Sequence, residues 1–114
     1  MSAETILKMI EIVDPADKAK LDEIDALVSF YIDPAFGYNP KRYTRSRGAL
    51  KAVRPEGWEW YMSQDSSQKG VIFGCASDNI GTNQMQSPML PTEELAELHA
   101  IIQAIEYDRS KNDR

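Results

Sequence analysis

Apolar residues recur at helical spacing, then alternate, then return to helical spacing, with proline, glycine and clustered polar residues between the runs. Ile6, Leu7, Ile10 and Val13 form a broad apolar face and predict a short helix from Ser2 to Val13. In Asp14-Pro15-Ala16-Asp17 a stop is followed by a start. Asp14 suits a helix N-cap, Pro15 the first helical position and Asp17 the positive end of the dipole. Leu21, Ile24, Leu27, Val28 and Tyr31 then carry a second helix to about Ile32. Residues 33–40 hold Pro34, Gly37 and Pro40 and predict a loop. Thr44 is the expected N-cap of a third short helix that runs to about Val53 and is ended by Pro55 and Gly57.

Trp58, Trp60 and Met62 alternate with Glu59 and Tyr61, the pattern of a half-buried strand, and Val71 to Ala76 is a second strand that closes an antiparallel hairpin. Ser77 to Ser87 reads as a loop or as a poor edge strand around Asn83 to Gln86. Thr92-Glu93-Glu94 opens a last helix with acids in its first turn. Its Leu95, Leu98, Ile101, Ile102 and Ile105 form a stripe about 100° wide, and it ends at Tyr107 to Arg109. The order predicts one α+β domain, a small antiparallel sheet of two to three strands packed with helices. Residues 1–20 would be a helical extension, 21–107 a sandwich-like core and 108–114 a frayed tail.

Composition agrees with a folded domain: 114 residues, 42% hydrophobic and 27% charged. No apolar run approaches the ~20 residues of a membrane helix, and Met1-Ser2-Ala3-Glu4 lacks the start of a secretory signal. A cytoplasmic protein is expected. The single cysteine, Cys75, makes no disulfide within the chain, and with His99 the only histidine a metal site has little support. No metal and no cofactor are implied.

Charge changes the picture more. Residues 1–33 carry eight acids against three lysines, and residues 56–114 carry ten acids against four bases. Between them, Lys41, Arg42, Arg45, Arg47, Lys51 and Arg54 stand with no acid at all. Overall acidity argues against general nucleic-acid binding, whereas a basic block in an acidic chain points to an anionic ligand or an acidic surface. The alternative is that these bases pair with acids on neighbouring helices of the same chain.

Tyr43-Thr44-x-Ser46-x-x-Ala49-x-x-x-Val53-x-Pro55-Glu56-Gly57-Trp58-x-Trp60 resembles the pattern of the phage α–β–α sandwich domain family. The likeness covers roughly residues 21–107, and Pro-Glu-Gly-Trp is its most specific part. Here the chain adds an N-terminal helix, an arginine-loaded middle helix and a long Asn/Gln/Ser loop. The resemblance implies the fold and a viral origin, that of a small phage or prophage accessory protein working in the host cytoplasm; it implies no particular activity.

The residues themselves offer little catalytic chemistry. There is no phosphate-binding glycine loop and no nucleophile elbow. His99, at the edge of the apolar stripe, reads as a hydrogen-bonded boundary residue, and Asp22, Glu23 and Asp25 read as a solvated flank. Cys75 reads as a small core residue. A binding protein is therefore expected, not an enzyme.

The start of the third helix is the leading candidate site. Thr44 and Ser46 hydroxyls, free backbone amides and the Arg42, Arg45 and Arg47 guanidinium groups suit a phosphate. Lys51 adds charge, and Tyr38 and Tyr43 add surfaces on which a base could stack. The leading expectation is a counter-defence protein that captures a small anionic, nucleotide-type ligand through Tyr38, Arg42, Tyr43, Thr44, Arg45, Ser46, Arg47 and Lys51. Reversing Arg45 and Arg47 is then expected to abolish uptake and leave the fold intact. The runner-up is an inhibitor whose acidic helices, Asp14 to Asp25 and Glu93 to Glu97, dock on a host nucleic-acid-handling defence protein. A self-associating assembly subunit is third. A homo-oligomer is expected, a dimer above other states.

Overall fold

The computed structural model describes residues 2–33, 40–64, 70–77 and 84–112. It is an α+β fold of α1 (Ala3–Ile12), α2 (Lys18–Ile32), α3 (Arg47–Ala52), β1 (Trp58–Gln64), β2 (Val71–Ser77), β3 (Gln84–Gln86) and α4 (Glu93–Asn112). The strands form one antiparallel sheet in the order β1-β2-β3. Among the described residues no helix is long and apolar enough to cross a membrane.

α4 is the centre of the packing: β2, α1 and α3 all rest against it, and every residue from Leu95 to Ile102 is buried. A helix with a single apolar stripe buries one side only. This one is enclosed, so Ala96, Glu97, His99 and Ala100 are inside together with the predicted stripe. The N-terminal helix is part of the same core, since Ala3, Ile6 and Ile10 are buried with α2 and α4 residues.

Three helix ends differ from the sequence reading. Asp14 does not cap α2: its Oδ1 accepts the Ala16 N–H at 2.9 Å in a turn of its own, and Asp17 is the N-cap, accepting from the Lys20 N–H. α3 starts after Ser46, not Thr44. The backbone N–H of Thr44 is taken by Asp25, and Ser46 Oγ accepts the Ala49 N–H instead. α4 begins as expected, with Thr92 Oγ1 accepting the Leu95 N–H, but continues to Asn112. Its last turns are tied down. Asp108 accepts from Trp58 Nε1 at 3.2 Å, while Arg109 lies 4.4 Å over the Tyr31 ring and donates to the Tyr31 carbonyl.

The hairpin pairs Trp60 with Cys75 and Met62 with Phe73. Alternation therefore puts Trp58, Trp60, Val71, Phe73 and Cys75 on the face toward α4. Trp58 is buried against Tyr107, ring centres 5.6 Å apart and nearly perpendicular. Trp60 packs 6.3 Å from Phe73. Residues 84–86 are an edge strand, while residues 78–83 of that segment lie outside the described residues, and Ser87 and Leu90 continue the pairing with Phe73 and Val71. Gly57 has φ +88°, so the Pro-Glu-Gly-Trp turn into β1 uses a conformation that glycine adopts freely. On the open face of the sheet the Tyr61 ring lies directly over Gly74.

Candidate functional site

The segment between α2 and β1 carries the basic block, and most of its charge turns inward. Tyr43 to Arg45 form a tight turn in which the Arg42 carbonyl accepts from the Arg45 and Ser46 N–H groups. Asp25, only 3% exposed, organises this turn. One carboxylate oxygen accepts the Thr44 N–H at 2.8 Å and the other the Arg45 guanidinium at 2.8 Å. Arg45 also reaches Asp22, and these two carboxylates push its pKa up further. Tyr43 is buried in the same turn, and burial raises the pKa of its hydroxyl.

A second cluster joins α3 to α4. The Glu97 side chain is 0% exposed. Arg54 donates to its Oε2 from Nε at 2.9 Å, with Nη2 also 2.9 Å from that oxygen, and Arg47 approaches its Oε1 at 3.3 Å. Arg47 also donates to Glu93 at 2.8 Å. The Arg54 guanidinium lies 5.3 Å over the Trp60 ring and 5.5 Å from Phe73. A buried carboxylate is tolerable only with such partners.

The predicted ligand-binding residues are thus distributed, not gathered. Tyr43 and Thr44 are buried, and Ser46 caps α3. Arg45 turns to α2, Arg47 to α4. Arg42 and Lys51 are exposed and have no ion-pair partner among the described residues. Tyr38 lies outside the described residues. Pairing with acids on neighbouring helices, the alternative the sequence left open, is what Arg45, Arg47 and Arg54 do.

Sequence reasoning missed the two carboxylates at the centre of these clusters. Asp25 stands in sequence with the charged Asp22 and Glu23, yet it follows Leu21 by four residues and precedes Val28 by three, which puts it on the apolar side of the helix. Glu97 flanks the apolar stripe of α4 on the side opposite His99, and Arg47 and Arg54 close over it there.

His99 is hydrogen-bonded as expected, but it is buried and not at a boundary. Its Nε2 lies 3.1 Å from Glu11 and its Nδ1 2.8 Å from Gln103 Nε2, whose amide also donates to the Gln86 carbonyl. An amide donor on Nδ1 leaves the proton on Nε2, the neutral form, and burial lowers the ring's pKa to match. Cys75 is buried, with its thiol pKa pushed up to about 12 by burial. The two groups best suited to nucleophilic or base chemistry are committed to packing. Among the described residues no group of three His, Cys, Asp or Glu is placed to hold a metal ion.

One surface hollow differs from its surroundings. Where α1 meets α2, a groove of about 300 Å³ is lined by Met9, Ile12, Val13 and Ile24 with Asp14, Asp17 and Lys20. Ile12 is 83% exposed. Comparison with protein-family models, curated proteins and solved structures gives no match.

Proposed function

We propose that this chain acts by binding a protein, through the acidic, apolar groove between α1 and α2, and not by catalysis. The observation that carries this reading is Ile12, a large apolar side chain left 83% exposed beside apolar lining and the Asp14 and Asp17 carboxylates. Exposed apolar surface rimmed by polar residues marks interaction sites. The charged lining of the groove is Asp14 and Asp17 against Lys20, so the fitting partner segment is basic with an apolar anchor. The resemblance of the Tyr43 to Trp60 segment to the phage family supports the context. An accessory protein in the host cytoplasm would use this face to block a defence protein that handles nucleic acid, whose own binding surface is basic. Capture of a small nucleotide-type anion is the weaker reading, because four carboxylates already hold Arg45 and Arg47.

The test is a photo-crosslinking amino acid at position 12, exposed in host lysate, with sequencing of the attached peptide. A peptide rich in Lys and Arg is expected. Ile12→Lys keeps the helix and favours its C-terminal dipole end, yet removes the anchor and repels a basic partner. It should weaken binding more than about tenfold, the value of one buried aliphatic side chain. Binding that is indifferent to Ile12→Lys refutes the groove as the site.

A further inference from the structure

Among the described residues, β1 is the long free edge of the sheet. It spans seven residues, Trp58–Gln64, and hydrogen-bonds to β2 alone among the described strands. The other edge is blunted, since β3 has three residues and Pro88 follows two residues after it. β1 carries none of these protections. It has no proline, no lysine and one charged residue, Glu59, and it exposes Tyr61 (41%) and Met62 (42%). Such an edge is a template for another strand.

We propose that β1 pairs with β1 of a second copy, antiparallel about a two-fold axis at Tyr61, giving a continuous six-stranded sheet. A two-fold axis normal to the sheet preserves faces, so paired positions must have the same parity. Of the registers this allows, the one centred on Tyr61 pairs all seven residues. It sets Trp60 opposite Met62 on the α4-facing side, covering the exposed methionine and extending the core across the junction. On the open face it sets Tyr61 opposite its own copy and Glu59 opposite Ser63, so the only charge on the strand meets a hydroxyl and not itself. The occupant is a second copy because a heterologous strand would need its own complement to this pattern, whereas β1 already is one.

Residues 59 and 63 are exposed, so they can be changed without touching the core. Sedimentation equilibrium of the native chain over a concentration series should show twice the 12.9 kDa chain mass. Ser63→Glu places carboxylates opposite each other twice per dimer and should raise the dissociation constant about five- to tenfold, at roughly threefold per pair. Ser63→Lys should lower it by a similar factor, and Glu59→Lys with Ser63→Glu should restore it. A monomer at every soluble concentration overturns the proposal. A dimer unaffected by charge at 59 and 63 overturns it too, placing the contact on another surface.

Discussion

Glu97 tests whether the α3–α4 cluster is a buried network or a surface pair. Its carboxylate is wholly enclosed and takes two contacts from Arg54 and one from Arg47. Glu97→Ala removes all three and leaves both guanidinium groups without this partner. Breaking a fully buried pair costs about 3–5 kcal/mol. Two features reduce that here: Arg47 is more than a third exposed and keeps Glu93, and Arg54 keeps its place over Trp60. The expected loss is therefore about 3 kcal/mol, a large part of the 5–15 kcal/mol that holds a domain together. Trp60, beside the cluster, gives a fluorescence signal for urea unfolding. With a slope of about 1.5 kcal/mol per molar the midpoint should fall by about 2 M. Arg54→Ala alone should cost less, and in the double variant the two losses should fall short of adding, with a coupling of about 1–2 kcal/mol. A loss under about 1 kcal/mol for Glu97→Ala, with no coupling to Arg54, would match an exposed ion pair and refute the reasoning.

The remaining predictions rest on single contacts. Asp25→Ala strands the buried Thr44 N–H and should cost about 2–3 kcal/mol; a urea midpoint near that of the native chain would show that this turn is not held by Asp25. Gly74→Ala puts a Cβ about 2.5 Å from the Tyr61 ring, so the ring must swing away at a cost of about 1 kcal/mol, read as a lower melting temperature and shifted Tyr61 resonances; an unchanged spectrum refutes it. Burial holds the His99 pKa below 6.5, so the unfolded chain binds the extra proton. Its contribution should be complete above about pH 7 and decline as pH falls through 6.5, and His99→Gln should remove that part of the slope; equal slopes refute it. Arg45→Glu with Arg47→Glu sets new carboxylates against Asp22, Asp25, Glu93 and Glu97 and should abolish cooperative unfolding, whereas Arg42→Glu should stay within about 0.5 kcal/mol of the native chain. A cooperative, near-native double variant refutes the pairing.

Periodicity made most of the fold legible. The apolar spacing in α1, α2 and α4, the Trp58-Trp60-Met62 alternation and the Pro-Glu-Gly-Trp turn each report a local rule, and the elements stand where those rules put them. The errors fall where a residue's partner is distant in sequence. Thr44 has the chemistry of an N-cap, but Asp25, nineteen residues earlier, takes its backbone N–H. Glu97 stands at the flank of the apolar stripe, and it is buried because Arg47 of α3 and Arg54 just beyond that helix close over it. The stripe's geometry puts His99 at a boundary, but α1 covers that flank of α4 and the ring is buried against Glu11. The groove was less visible still: Ile12 and Asp14 are ordinary at the end of a helix, and only the angle between α1 and α2 makes them neighbours of Ile24.

The separation of charge along the chain is therefore not a separation of charge in space. Three arginines of the acid-free block meet four carboxylates drawn from α2 and α4, so the block works as a clamp that fixes the α2–β1 connection to both helices. A stretch of one sign is what such a clamp requires, since an acid within it would compete for the same guanidinium groups at short range. This inverts the inference from sequence to partner. Bases that are neutralised inside the fold cannot advertise an anion outside it, and where α1 meets α2 the groove sets Asp14 and Asp17 against Lys20. Asp14 and Asp17 spend one oxygen each on a nearby backbone N–H, which fixes their positions beside Ile12 and leaves their charge without an ion-pair partner among the described residues. Fixed carboxylates next to an exposed aliphatic side chain select for a partner that is basic and apolar at once, and this is why the α1–α2 groove, and not the arginine segment, is where binding is sought.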